Sequence, residues 1–466
     1  LDYAMTQNNL GTAYSDLSAV EEREANLRRA IAAYEAALEY YTPQIAPLAY
    51  AMTQNNLGTA YSDLSAVEER EANLRRAIAA YEAALEYRTP QIAPLDYAMT
   101  QNNLGTAYSD LSAVEEREAN LRRAIAAFEA ALEYYTPQIA PLDYAMTQNN
   151  LGTAYSDLSA VEEREANLRR AIAAYEAALN VHPQYWRALV NRGRIFRSLQ
   201  RFKEALTDFT RAIELDPNSA WKLAERGEIY RLIGCNDEAL TDFNYAIEIN
   251  PQYVWALTKR GQVYQRMKRY DEALADFHSA LELNPEYTWA VICRAETYAL
   301  SNQLEEAENE YTRSIDMTLG AAYTLRNRAG FYLDHDRLQE AEADLNTAME
   351  LQPDAAYLHY HRARLHLLKG EAQIALDIAN HALERSDPLT IAYIPTILAH
   401  LLLADVERAT TSLHTFIAEI KDADDIQTAI WVVERFLAKR PGLTNGEEIL
   451  TQLRTTLEKL CSKYMP

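Results

Sequence analysis

The chain has 466 residues, 48% of them hydrophobic, which is ample for a continuous core, and carries a formal net charge of −23. A surface this acidic repels nucleic acid on average and leaves room only for a local basic groove; no apolar run of about 18 residues occurs, so no membrane-spanning helix is expected. The cysteines Cys235, Cys293 and Cys461 are scattered and odd in number, which fits a reducing cytoplasm better than a disulfide framework.

Leu1, Leu48, Leu95 and Leu142 each open a unit of 47 residues whose text hardly changes. Across the first three full units only the columns Asp2/Ala49, Tyr41/Arg88 and Tyr34/Phe128 vary. A fixed period of this size is the mark of a solenoid in which each unit packs on its neighbours. It moves the functional question from a catalytic pocket to a long repeated surface. The first 179 residues hold 26 acids against 13 bases, a net charge of −13 that leaves −10 for the rest.

Within a unit, Thr42-Pro43 ends one helix and Pro47-Leu48 starts the next, because proline suits a first helical turn and blocks continuation of a preceding one. A first helix is expected through YAMTQNNLGTAYSDL. Ser18 is expected to cap the second helix with Glu21 three residues on, as in a capping box. Glu21, Glu22 and Glu24 then fall in its first turn, where the helix dipole favours negative charge. Leu27, Ile31, Tyr34 and Leu38 share one apolar stripe, and Ala30 and Ala37 let the partner helix approach.

From Pro183 the period becomes 34: Pro183, Pro217, Pro251 and Pro285, with Pro353 two periods on. Gly193, Gly227, Gly261, Ala295, Ala329 and Ala363 share a column. Phe196, Tyr230, Tyr264, Tyr298 and Tyr332 follow three residues later, and His366 breaks the run. Ala205, Ala239, Ala273, Ala307, Ala341 and Ala375 form an alanine column, followed four residues on by Phe209, Phe243, Phe277, Tyr311 and Leu345. This pattern, over about 183–386, closely resembles the tetratricopeptide repeat. The 47-residue units fit the same template through Leu10-Gly11, Tyr14, Ala30, Tyr34 and Ala37. Their 13 extra residues are expected to lengthen both helices by nearly two turns, giving a wider ribbon before about residue 182.

Later columns lose regularity. Asp387-Pro388 marks another unit, followed by a charged stretch from Lys421 to Asp425, a helix containing Ile430-Trp431-Val432-Val433, a break at Pro441-Gly442 and an amphipathic helix from about Glu447 to Tyr464. Arg454, Glu458, Lys459 and Lys463 give Thr451–Lys463 the polarity expected of a cap on the last unit. No comparable cap precedes Leu1, which together with the absence of an initial methionine suggests a piece of a longer protein.

Two polar columns run through the 34-residue repeats. Arg192, Arg226, Arg260, Arg294, Arg328 and Arg362 stand 34 apart, and Asp208, Asp242, Asp276, Glu310 and Asp344 form an acidic column on the second helices. They form either a structural ladder of arginine–carboxylate pairs or a row open to an acidic partner. Trp221, Trp255 and Trp289 occupy the second position of successive first helices, after Trp186 one column earlier. The resemblance implies that positions two, five, nine and twelve of those helices face a concave groove. That groove would carry Arg187, Arg194, Arg197, Trp221, Glu228, Arg231, Trp255, Thr258, Gln262, Gln265, Trp289 and Glu296. Aromatic and arginine groups dominate interface hot spots; packing of each Trp on the next repeat is the alternative. In the longer units the corresponding ladder is Asn8, Asn55, Asn102 and Asn149, whose amides suit either an extended peptide backbone or inter-helix bonds. A similar Asn-Asn-Leu arrangement occurs in kinesin-light-chain-like repeats that hold peptides.

No glycine-rich phosphate loop, HExxH or GxSxG motif occurs. His359, His361 and His366 share one helix, without the flanking acids of a metal site. The expectation is therefore an all-α, right-handed superhelix of antiparallel helix pairs. It has four long repeats over 1–182, six short ones over 183–386, and a degenerate repeat with capping helices over 387–466. The expected function is a non-enzymatic, cytoplasmic scaffold that takes a protein or peptide, with no cofactor, metal, nucleic acid or membrane. The YAMTQNNLGTAYSDL text also resembles repeats that bacterial multidomain proteins join to STAND-type NTPases or CHAT proteases, which implies a sensor arm in signalling or defence. Two alternatives stay open: an assembly array stacking through an uncapped N-terminal face, and a docking arm for an absent enzyme domain.

Overall fold

A computed structural model describes residues 1–384, 390–420 and 422–464, with the side chain of residue 461 left aside. Asp387-Pro388 and Lys421 therefore lie outside the described residues. These hold 24 α-helices, a short 3-10 turn at Thr390–Ala392 and no strand.

The chain divides into two compact units, Leu1–Leu199 and Gln200–Pro466. The first contains α1 Asp2–Ser18, α2 Arg23–Leu38, α3 Pro47–Ser65, α4 Arg70–Leu85, α5 Pro94–Leu111, α6 Arg117–Leu132, α7 Pro141–Leu158, α8 Arg164–Val181 and α9 Trp186–Ser198. The second opens with α10 Phe202–Leu215, α11 Ala220–Leu232, α12 Asn236–Ile249, α13 Val254–Arg266, α14 Tyr270–Leu283, α15 Thr288–Leu300 and α16 Leu304–Met317. It continues through α17 Ala322–Asp334, α18 Leu338–Leu351, α19 Ala356–Lys369, α20 Ala372–Leu383, α21 Tyr393–Leu402, α22 Val406–Glu419, α23 Ala423–Ala438 and α24 Gly446–Tyr464. Within each unit, helices pack in consecutive pairs, and each pair packs on the next.

The expected stripe is the core of a long repeat. Leu27, Ala30, Ile31, Tyr34 and Ala37 are buried, and Leu57, Ala60 and Leu64 of the next unit close over them. Gly11 is required by contact: a Cβ there would stand 2.6 Å from the Tyr34 ring. The Tyr34 hydroxyl, beyond that contact, reaches Thr12 Oγ1 at 3.2 Å. In the short repeats Gly261 meets Phe277 in the same way.

Two expectations about the long repeats need correction. Ser18 is the last residue of α1 and donates to the Ser15 carbonyl at 2.6 Å, so the capping box does not form. The second helix starts four residues later, after Glu22, which takes a left-handed backbone with φ 42°; Glu69, Glu116 and Glu163 repeat it. Only Glu24 of the three acids lies in the first turn. Asn26, one turn into the helix, ties down the entry: its Nδ2 donates to the Glu21 carbonyl at 2.9 Å and its Oδ1 accepts from Arg29 at 3.0 Å. The 13 extra residues also divide differently. Against α13 and α14, five lengthen α5, two lengthen α6 and six go to the connections.

The cysteines depart from the expected set of reduced thiols. Cys293 is free and buried, whereas Cys235, at the start of α12, is disulfide-bonded.

Candidate functional site

The arginine column is a structural ladder. Arg226 grips Asp242, Arg260 grips Asp276 and Arg328 grips Asp344 through two bonds each, all between 2.6 and 2.9 Å. Arg294 reaches Glu310 through one bond at 2.8 Å. Each pair joins the first helix of a repeat to its second. The series stops at Arg362, because Ile378 occupies the place of the acid; Arg362 rests against Asn346 and Met349.

The amide ladder of the first unit also turns inward. Asn8 is 4% exposed, and its Oδ1 accepts from Thr53 at 3.1 Å and Asn56 at 3.3 Å. Asn55 and Asn102 repeat this with Thr100, Asn103, Thr147 and Asn150. Asn149 takes Asn191 at 3.1 Å. The carbonyls expected to face a peptide thus bond the next repeat. Arg28–Glu68, Arg75–Glu115 and Arg122–Glu162, each at 2.5 Å, stitch the outside of the same units. Arg187 and Arg194 are exposed and Arg197 is half-buried; Arg187 lies over the Trp186 ring. A cleft of about 580 Å³ lies between α7, α8 and α9, lined by Asp157, Arg164, Tyr175, Asn191 and Arg194 among others. It opens where the 13-residue α9 follows the 18-residue α7 and α8.

In the second unit the tryptophans stand at the N-terminal ends of the first helices. Trp221 and Trp255 are half-buried and Trp289 is 38% exposed. Lys222 Nζ lies over Trp221 and Lys259 Nζ over Trp255. Trp255 also meets Tyr253 and Phe243. Thr258 is buried and bonds its own helix, and Gln265 donates to Thr297 at 3.2 Å.

The C-terminal ends of the same first helices carry a buried charge network that closes on α23. Glu228 accepts from Arg231 at 2.6 Å and from Lys259 at 3.1 Å. Burial alone would raise the Glu228 carboxyl, but these two cations outweigh it and hold it low. Asp424, at the start of α23, binds Arg231 at 2.5 Å and also binds Arg266. Burial would raise Asp424 too, and the two guanidiniums hold it well below the usual carboxylate range. Its neighbours lack that pairing. Burial and the Asp424 charge push Asp422 up to about 7 and Asp425 up to about 6. Asp422 also caps α23 by accepting from the Asp424 amide. On α15, burial pushes Glu296 up to about 7.

At its other end α23 meets α17, the loop after it, and α19. Arg435 donates to the Asp334 carbonyl, Lys439 pairs with Asp336 and Arg440 donates to the Leu367 carbonyl. Asp334 itself is paired with Arg364 at 2.5 Å. The last helix follows: Tyr464 stands edge-on to Phe202, and Leu457 approaches Gly234. The C-terminal helices therefore do more than cover the last pair, as sequence reasoning expected. They run back along the row of first helices and occupy one end of it. Sequence reasoning missed Lys259, Arg266, Asp334, Arg364 and Asp424; the signal available was the cluster of acids at 422, 424 and 425, set among bases on the first helices.

His359, His361 and His366 disperse: His359 faces the Pro353 carbonyl, His361 packs by Gly330 and His366 meets Glu371 at 2.5 Å. No group of three metal-ligating side chains occurs among the described residues. No helix among them is long and apolar enough to cross a membrane.

Tetratricopeptide-repeat family models match residues 4–40, 51–91, 161–220, 254–287 and 331–389, and a TPR-repeat model matches 227–268. No curated protein matches the chain. Among solved structures, a tetratricopeptide repeat protein from Parabacteroides merdae is 23% identical over 53% of this chain and 98% of its own, with a TM-score of 0.46. Yeast Tom70 is 17% identical over 99% of this chain and 98% of its own, with a TM-score of 0.44. A thermophilic TPR protein from Thermus thermophilus is 23% identical over 39% of this chain and 99% of its own, with a TM-score of 0.37. With the matched models covering more than half of the sequence and every described helix pairing with its neighbour, the chain belongs to the tetratricopeptide-repeat family.

Proposed function

We propose that this chain is a non-enzymatic recognition scaffold whose ligand, a protein or peptide, is held by the first helices of the 34-residue repeats. The supporting observation is the contrast between the two kinds of repeat. In 1–182 the amides of Asn8, Asn55 and Asn102 are spent on bonds to the next repeat, identically from unit to unit. In the later repeats the corresponding positions differ, and they include the half-exposed tryptophans Trp221, Trp255 and Trp289, a residue type that anchors interfaces. The long repeats act as a uniform spacer, and specificity resides in 183–386.

The larger setting is a sensor arm of a bacterial signalling or defence protein; its support is the resemblance of the YAMTQNNLGTAYSDL units to such arrays. The test is selection of peptide ligands from a random library on the full chain, repeated on a Trp221→Ala/Trp255→Ala variant. Ligands lost on the double variant at unchanged melting temperature support the scaffold. A library that yields no ligand dependent on either tryptophan refutes it. The competing assembly reading predicts mass growth with concentration in light scattering, and a monodisperse monomer removes it.

A further inference from the structure

We propose that the C-terminal ends of the first helices α11 to α19 form a docking site for a partner's amphipathic helix, acidic in its first turn and basic in its last, and that α23 is the chain's own occupant of that site. The inference rests on the scaffold reading above and gives its ligand a chemistry.

The charges define the helix that fits. Around Asp424 the first helices present Arg231, Lys259 and Arg266 against Glu228, a local positive excess in a chain of net charge −23. Into it α23 brings Asp422, Asp424 and Asp425. At the far end α23 brings bases: Arg435 donates to the Asp334 main-chain carbonyl, whose carboxylate is held by Arg364, and Lys439 pairs with the Asp336 carboxylate. Acid in the first turn and base in the last is also the order the helix dipole favours. The face therefore selects both the charge and the direction of a bound helix.

Between those ends its present occupant packs Ile426, Ala429, Val432, Val433 and Phe436 into the core of the unit, yet polar groups there go unmet. The Tyr360 hydroxyl, in the same core cluster as α23, is buried without a hydrogen-bond partner among the described residues, as is Gln427 Oε1 on α23. Natural interiors leave few such groups, and each costs stability. A gap of about 30 Å³ separates Leu333 and Leu367 from Val432 and Phe436, room enough for a water. Asp422 and Asp425 crowd Asp424, which alone holds the two arginines. Lys439–Asp336 is largely open to solvent, where an ion pair contributes little. A partner helix that placed a hydrogen-bonding group opposite Tyr360 would satisfy a hydroxyl that α23 leaves unmet. It must still compete with a tethered segment, whose effective concentration is of millimolar order.

The experiment uses the full chain and, as probe, a fluorescein-labelled synthetic peptide with the text of residues 422–440. Its binding is followed by anisotropy on wild type and on Asp424→Arg, which sets α23 against Arg231 and Arg266 and frees the site. We expect at least tenfold tighter binding to D424R, and loss of that gain when Arg231→Asp and Arg266→Asp are added. Should D424R lose its helicity, Lys439→Glu loosens only the exposed end. That variant should bind the peptide about threefold tighter and exchange the α23 amides faster than wild type. Equal binding to wild type and the folded variants overturns the proposal. If that result comes while library peptides still depend on Trp221 and Trp255, the scaffold reading stands without this site; if no peptide of either kind binds, both fall.

Discussion

Arg226 closes on Asp242 with both prongs of its guanidinium, Nε and Nη2 each 2.8 Å from a carboxylate oxygen, sixteen residues along the chain. The pair spans the two helices of one repeat, with the Asp242 side chain 4% exposed. Its value is asymmetric, because a buried charge that loses its partner costs more than the pair contributes. Arg226→Ala should therefore destabilise the second unit by about 3–5 kcal/mol. Replacing Arg226 and Asp242 together by Met and Leu should cost far less. Chemical denaturation of the three chains checks this; a loss below about 1 kcal/mol for R226A would show the ladder to be ornamental.

The left-handed residue before each long second helix offers a stabilising change. Glu22, Glu69, Glu116 and Glu163 hold φ between 40° and 42°, a region that costs a residue with a Cβ roughly 1–2 kcal/mol. Glycine relieves that cost and gives back part of it as unfolded-state entropy. The quadruple change to glycine should raise the melting temperature of the first unit, with a gain of about 0.5 kcal/mol per site. The outer pairs Arg28–Glu68, Arg75–Glu115 and Arg122–Glu162 involve other glutamates and stay intact. A lowered melting temperature would mean that these side chains hold their loops.

Glu296 should make stability depend on pH in a stated direction. Its carboxyl is pushed by burial to about 7, from 4.5 in the unfolded chain. Between those values the folded state binds the extra proton, so this group's contribution to stability falls as pH rises from about 4.5 to 7 and stays low above. Glutamine cannot ionise. Glu296→Gln should match wild type near pH 4.5 and exceed it at pH 8 by roughly 2–3 kcal/mol. Arg326, Asp424 and Asp334, the charged groups that act on Glu296, are present in both chains, so the difference between the two isolates Glu296. A stability gap that is constant from pH 4.5 to 8 would contradict the shift.

The parts legible in the sequence were those that repeat. Leu27, Ile31 and Tyr34 announce their common face by spacing, and Gly11 announces the ring it admits because Gly58 and Gly105 recur with Tyr81 and Phe128. Ser18 misled because the signal for a helix start is local: a serine three residues before a glutamate looks the same when the first helix runs on through it. Asn26 carries the tie instead, from inside the helix. The partner of Arg231 could not be read, since Asp424 lies 193 residues away and belongs to no column. Periodicity reports contacts between neighbouring repeats. A segment that returns along the row makes each of its contacts once, so it leaves no period to find.

Removal of residues 1–141 tests the division of labour between the two kinds of repeat. The cut takes only Pro141, the first residue of α7, so the rest of α7 and all of α8 remain to cover α9. It removes three copies of the Asn8-type bond, which joins repeats to each other. The tryptophan row and the Arg231–Asp424 pair lie in the second unit and are untouched. A peptide selected on the full chain should therefore bind the shortened one with affinity within about threefold, roughly 0.65 kcal/mol. A spacer contributes reach, and reach is not sensed by a short peptide in solution. A tenfold loss, about 1.4 kcal/mol, would place part of the binding surface on the long repeats, where Met5 and Met52 are exposed.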